Sequence, residues 1–182
     1  IRSGAKLTIG DGEELIVNRI IATSVISNIS IDPNGTLENR GIINITRNTV
    51  NPTGFGIFNE GTVINQNPGN IPGLGQINIK EMVRINDNGG RGIYNGGTFI
   101  NKVNSEINIE DTENGGIVVF NNGVFTNEGS IYIEGVFNDL LGAYIGVEVF
   151  PQADFTNEGS IEILDIRDGI KSFNNGSFTN NG

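Results

Sequence analysis

The sequence predicts an all-β chain wound into a single-stranded parallel β-solenoid, about seven coils of roughly 23–36 residues each. Three observations predict it. A Gly-x-apolar-x-Asn unit recurs along the chain, and an Ile-x-Ile unit follows every copy but the last. No segment of useful length carries the 3.6-residue period of a helix, so parallel strands must be joined by loops. A coil that winds once per repeat does this, and the bias of parallel crossovers makes a right-handed β-helix the expectation.

The first unit occurs as Gly35-Thr-Leu-Glu-Asn39, Gly61-Thr-Val-Ile-Asn65, Gly97-Thr-Phe-Ile-Asn101, Gly123-Val-Phe-Thr-Asn127 and Gly176-Ser-Phe-Thr-Asn180, with Ala153 replacing Gly in Ala153-Asp-Phe-Thr-Asn157. In a stack, equivalent residues lie over one another. Phe99, Phe125, Phe155 and Phe178 should therefore form an inward aromatic column that Leu37 and Val63 continue. Asn39, Asn65, Asn101, Asn127, Asn157 and Asn180 should form a ladder at a turn, because a side-chain amide both donates and accepts. The second unit is Ile43/Ile45, Ile77/Ile79, Ile107/Ile109, Ile131/Ile133 and Ile161/Ile163, the period-two mark of a half-buried strand. A third element sets an aromatic three residues before each later copy: Phe58, Tyr94, Phe120, Phe150 and Phe173. Asn follows it in four cases and Pro151 in the other.

Residues 1–34 are expected to hold less regular N-terminal coil, and 35–182 the regular repeats, in one continuous domain. Unequal intervals between copies imply loops of different length on a constant cross-section. The largest insertion runs from Asn67 to Gln76, and Val103–Glu106 is slightly long. The chain starts at Ile1 and breaks off partway through a coil at Gly182. It is therefore expected to continue in a longer protein, or to pair with another subunit of the same protein.

Composition narrows function. The 27 glycines and a similar wealth of asparagine suit dense turns, while Ile, Val and Phe suit strands. A net charge of −10 argues against nucleic-acid partners and against anionic lipid. No apolar run is long enough to insert in a membrane. With no histidine, a Ser-His-Asp triad is excluded; with no cysteine, so are disulfides and thiolate metal sites.

Phe125-Thr-Asn-Glu-Gly-Ser-Ile131 and Phe155-Thr-Asn-Glu-Gly-Ser-Ile161, with Gly56-Ile-Phe-Asn-Glu-Gly61, resemble the right-handed parallel β-helix repeats of large secreted surface proteins of Bacteroidetes-type bacteria. That resemblance covers residues 26–182 by style of repeat. It implies an extracellular or cell-surface setting and an adhesin-like or pectate-lyase-like relation.

The function expected is a non-catalytic structural or adhesive module, a stalk or a segment of a fibre. Its ligand surface, for cell-surface glycans or proteins, should lie on the variable loops. Asn67, Asn70 and Leu74 of the largest insertion are the first candidates, and Asp139–Val147 the next. The alternative is a polysaccharide-active or carbohydrate-binding β-helix. Its acids would come from Glu81, Glu110, Asp111, Glu134 and Asp165, with Arg84, Arg91 and Arg167 nearby. No cofactor is required, but calcium could use Glu110, Asp111, Asp165 and Asp168, or Asp87. An ice-binding face is a lesser alternative, because each copy of the first unit offers a single Thr beside the Phe column.

Overall fold

A computed structural model describes residues 1–18, 27–46, 54–82, 90–135, 145–173 and 175–182. The strands come in threes. The first coil holds β1 (Lys6–Ile9), β2 (Glu14–Asn18) and β3 (Ser27–Ile31), the second β4 (Thr36–Asn39), β5 (Ile42–Thr46) and β6 (Phe55–Asn59). The third holds β7 (Thr62–Asn65), β8 (Gln76–Lys80) and β9 (Arg91–Asn95), the fourth β10 (Thr98–Asn101), β11 (Glu106–Thr112) and β12 (Gly115–Val119). Next come β13 (Val124–Asn127), β14 (Ser130–Gly135) and β15 (Ile145–Val149), then β16 (Asp154–Asn157), β17 (Ser160–Leu164) and β18 (Asp168–Ser172). β19 (Ser177–Asn180) opens a seventh coil.

Each strand pairs in parallel with its equivalent one coil away. Three sheets result, which we call A (β1-β4-β7-β10-β13-β16-β19), B (β2-β5-β8-β11-β14-β17) and C (β3-β6-β9-β12-β15-β18). The chain is thus a parallel β-solenoid, and among the described residues every regular element is a strand.

The core follows the sequence pattern. Leu37, Val63, Phe99, Phe125 and Phe155 of sheet A are fully buried and in direct register. The rings of Phe99, Phe125 and Phe155 stack at 4.7 and 4.8 Å, nearly parallel, and Phe178 extends the column at 5.4 Å. Sheet B supplies the paired Ile columns, which Leu15 and Val17 continue into the first coil. Sheet C contributes Ile31, Ile57, Ile93, Ile117, Val119, Val147 and Val149. One cluster therefore runs down the axis, and burial of repeated β-branched and aromatic side chains drives the winding.

The third sequence element divides in two. Phe58 and Tyr94 lie inside β6 and β9, in register with Val118 of β12 rather than with Phe120. The cause is turn length. β6 and β9 reach sheet A through two residues, whereas β12, β15 and β18 use four. In the four-residue turns the last residue's N–H bonds back to the aromatic carbonyl, as in Gly123 N to Phe120 O at 2.8 Å. Asn121, Asn122, Gln152 and Asn175 take the positive φ such turns need. The aromatics still meet in space, for Tyr94 lies 4.1 Å from Phe120.

Candidate functional site: the corner between sheets A and B

The ladder Asn ends each sheet A strand and turns its amide into the corner before sheet B. Nδ2 of each residue donates to Oδ1 of the next: Asn39 to Asn65 at 2.7 Å, Asn65 to Asn101 at 2.8 Å and Asn101 to Asn127 at 2.7 Å. Asn127 to Asn157 and Asn157 to Asn180 follow, both at 2.6 Å. The same Nδ2 also reaches carbonyls, as Asn65 does to Gly75 O at 2.8 Å and Glu106 O at 3.1 Å. Turn carbonyls such as Gly75 O already accept a backbone N–H from the next coil, Glu106 N at 3.0 Å, so the amide is a second donor that ties the corner to the ladder. The ladder stops at Asn39, whose Oδ1 is buried without a donor because Ile9 lies opposite it in β1. A second, shorter ladder joins Asn59 to Asn95 at 2.7 Å, and a third runs on the outer face of sheet B through Asn108, Asn78, Asn44 and Glu14.

Turn length varies at this corner. Two residues suffice at 40–41, 128–129 and 158–159, four span 102–105, and ten span 66–75. The short turns need glycine: a Cβ on Gly159 would stand 1.9 Å from Gly129 O of the coil below. The long turn is held by its own polar groups. Asn67, nearly buried, accepts from Ile71 N at 3.0 Å and donates to Ile71 O at 2.8 Å and to Asn104 O of the next coil at 3.2 Å. Asn104 Nδ2 donates to Asn70 Oδ1 at 2.6 Å.

The step from long turns to short ones leaves a groove of about 510 Å³. Its wall is Asn67, Asn70, Pro72, Leu74, Val103 and Asn104; its floor is Gly129-Ser130 and Gly159-Ser160 of the next two coils, with Glu106 and Glu128 at its edge. Asn67, Asn70 and Leu74 are thus brought together on one wall. The floor and the two glutamates are not evident from the sequence, because they depend on which turns are short. Glu128 accepts from Lys102 Nζ at 2.8 Å, and Glu106 accepts from Gln76 Nε2 at 2.8 Å.

The acidic column lies elsewhere, beyond the far end of sheet B. Glu81, Asp111 and Asp165 all have positive φ, so they serve as left-handed corner residues. Asp111 sits at an irregularity in the pairing of β11 with β14. Glu110 forms an ion pair with Lys80 at 2.7 Å, and Asp168 stands 3.6 Å from Arg167. Among the described residues no three acidic side chains are grouped so that they could hold a metal ion. Arg84, Asp87 and 139–144 lie outside the described residues. Tyr132 donates to Glu134 at 2.7 Å, and that bond, with the neighbouring carboxylates, pushes its phenol up to about 12.

Arg91 is the exception among the basic candidates. It is turned onto the outer face of sheet C and paired with Glu148 at 3.1 Å, two strands away, with side-chain exposures of 11% and 8%. In the register Gly115 of β12 stands opposite Arg91, and Val118 stands opposite both Tyr94 and Glu148, so the ion pair reaches diagonally across β12. The guanidinium also lies 5.8 Å from the centre of the Tyr94 ring. Burial raises the Tyr94 pKa, with Arg91 opposing and Glu148 reinforcing. Phe58 and Tyr94 stack 12° from parallel, so each covers the other's face.

The Thr columns beside the Phe column are in register as Thr36-Thr62-Thr98 and Thr126-Thr156-Thr179, with Glu38 and Asp154 interrupting the face. Glu38 is tied to Lys6, to Arg40 Nε at 3.0 Å and to Gln66 at 2.7 Å. Its pKa is lowered, chiefly by the hydrogen bond from Lys6.

No known protein family, curated protein or solved structure matches the chain.

Proposed function

We propose that the chain is a non-catalytic, extracellular adhesive module: a rigid solenoid that displays a binding surface at one corner. One observation carries this reading. Repeated positions are consumed by the stack, whereas the longest described irregular turn builds a groove wall from Asn67, Asn70 and Leu74. Variable loops on a rigid scaffold are the usual place for recognition. The acids available for catalysis favour binding over chemistry, since Glu110 is paired and Glu81, Asp111 and Asp165 occupy corners.

The test replaces residues 66–75 with Glu-Gly, the short turn of coils five and six. Beads coated with either protein are then washed over immobilised acidic and neutral polysaccharides. The replacement should fold and lose retention. Equal retention by both proteins would refute the assigned surface, and release of reducing or unsaturated ends by the parent would refute the non-catalytic reading.

A further inference from the structure

We infer that the groove takes a linear glycan of neutral or N-acetylated pyranoses and rejects uronic-acid polymers, a specificity that rests on the adhesive reading above. Its length comes first. The lining runs from the 66–75 turn of the third coil to Ser160 of the sixth. Equivalent floor groups, Gly129-Ser130 and Gly159-Ser160, recur at one strand spacing, about 4.7–4.9 Å. An extended peptide laid along the axis advances about 3.3 Å per residue and falls out of step with that repeat. A linear pyranose chain advances by about one such spacing per ring, so each ring meets the same floor.

The lining chemistry agrees. Among the described residues the Ser130 and Ser160 hydroxyls have no protein partner. The Asn70–Asn104 pair keeps one amide Nδ2 and one Oδ1 uncommitted. Such groups donate and accept alike, as sugar hydroxyls require. Pro72, Leu74 and Val103, the last 56% exposed, offer apolar contact for C–H faces. Charge decides between glycans. Both ionisable groups in the lining are carboxylates, Glu106 and Glu128, on a chain of net charge −10. Among the described residues only Glu128 has a cation beside it, Lys102. A uronate chain would bring like charge to Glu106 within a Debye length, about 8 Å at physiological salt.

The experiment titrates the intact chain with xylo-, chito- and galacturono-oligosaccharides of equal length. Neutral or N-acetylated oligomers should bind, with oligogalacturonate at least about tenfold weaker and the gap narrowing as salt rises. Ser160→Tyr, which fills the floor, and Val103→Asp, at an exposed site, should each cut neutral binding about tenfold with melting unchanged. Oligogalacturonate binding as tight as neutral binding overturns the inference, and so does neutral binding indifferent to Val103→Asp. Loop-dependent retention on a surface without binding of any neutral or N-acetylated oligomer also overturns it, yet leaves the adhesive reading standing. Retention that survives loop replacement removes the groove as the binding surface, and the glycan specificity with it.

Discussion

Replacing Asn101 by leucine tests the ladder at its interior. The side chain is fully buried, and leucine keeps its branched shape but is bulkier, so no cavity is left and some overpacking adds to the cost. The hydrogen bonds are what change. Asn101 donates to Asn127 Oδ1 at 2.7 Å and to Ser130 O at 3.1 Å, and it accepts from Asn65 Nδ2 at 2.8 Å. Its loss strands the buried Asn127 Oδ1, at about 1–3 kcal/mol, and removes further bonds at about 1 kcal/mol each. Asn65 Nδ2 keeps Gly75 O and Glu106 O, which limits the damage. The expected cost is about 2–5 kcal/mol, a large part of a typical domain's stability. Asn180→Leu is the control. Asn180 is exposed, and Asn157 Nδ2 retains Gly159 O at 3.0 Å, so water replaces what is lost and the cost stays below about 1 kcal/mol. Urea unfolding followed by circular dichroism measures both. Equal destabilisation by the two variants would show that the ladder amides do not stabilise the stack through buried hydrogen bonds.

Two further expectations concern charge. The Glu38 carboxyl is held below its ordinary value, so its contacts stabilise the fold above that value and are lost as pH falls through the depressed one. Lys6 is 56% exposed, which keeps the contribution below about 1 kcal/mol. Glu38→Gln should flatten that acid limb of a stability–pH curve, and an unchanged limb would remove Glu38 as its source. At the other face, Glu148→Gln strands a buried guanidinium and should cost about 3–5 kcal/mol, whereas Arg91→Met with Glu148→Leu should be near neutral. Thermal melts of the three proteins decide it, and a double variant as unstable as the single one would contradict the account.

A stack uses the same residue type at the same place in every coil, so its periodic positions can be read from sequence alone. The Phe column, the paired Ile columns and the Asn ladder are of this kind, each local in spacing and repeated. The insertion was also legible, as Asn67–Gln76, because it breaks the spacing, although Gln76 proves to be the first residue of β8 and the turn spans 66–75. What the tertiary structure decided is lateral. Aromatic spacing aligned Phe58 and Tyr94 with Phe120, but a two-residue turn against a four-residue turn shifts their register, and turn length is not encoded in that spacing. Arg91 meets Glu148, 57 residues later in the chain, across the intervening β12, and no local spacing encodes that meeting. The groove likewise needs a long turn beside two short ones, so Ser130, Ser160, Glu106 and Glu128 join Asn70 and Leu74 only once the coils are stacked. Sequence fixes what each coil repeats, and stacking decides what neighbouring coils expose together.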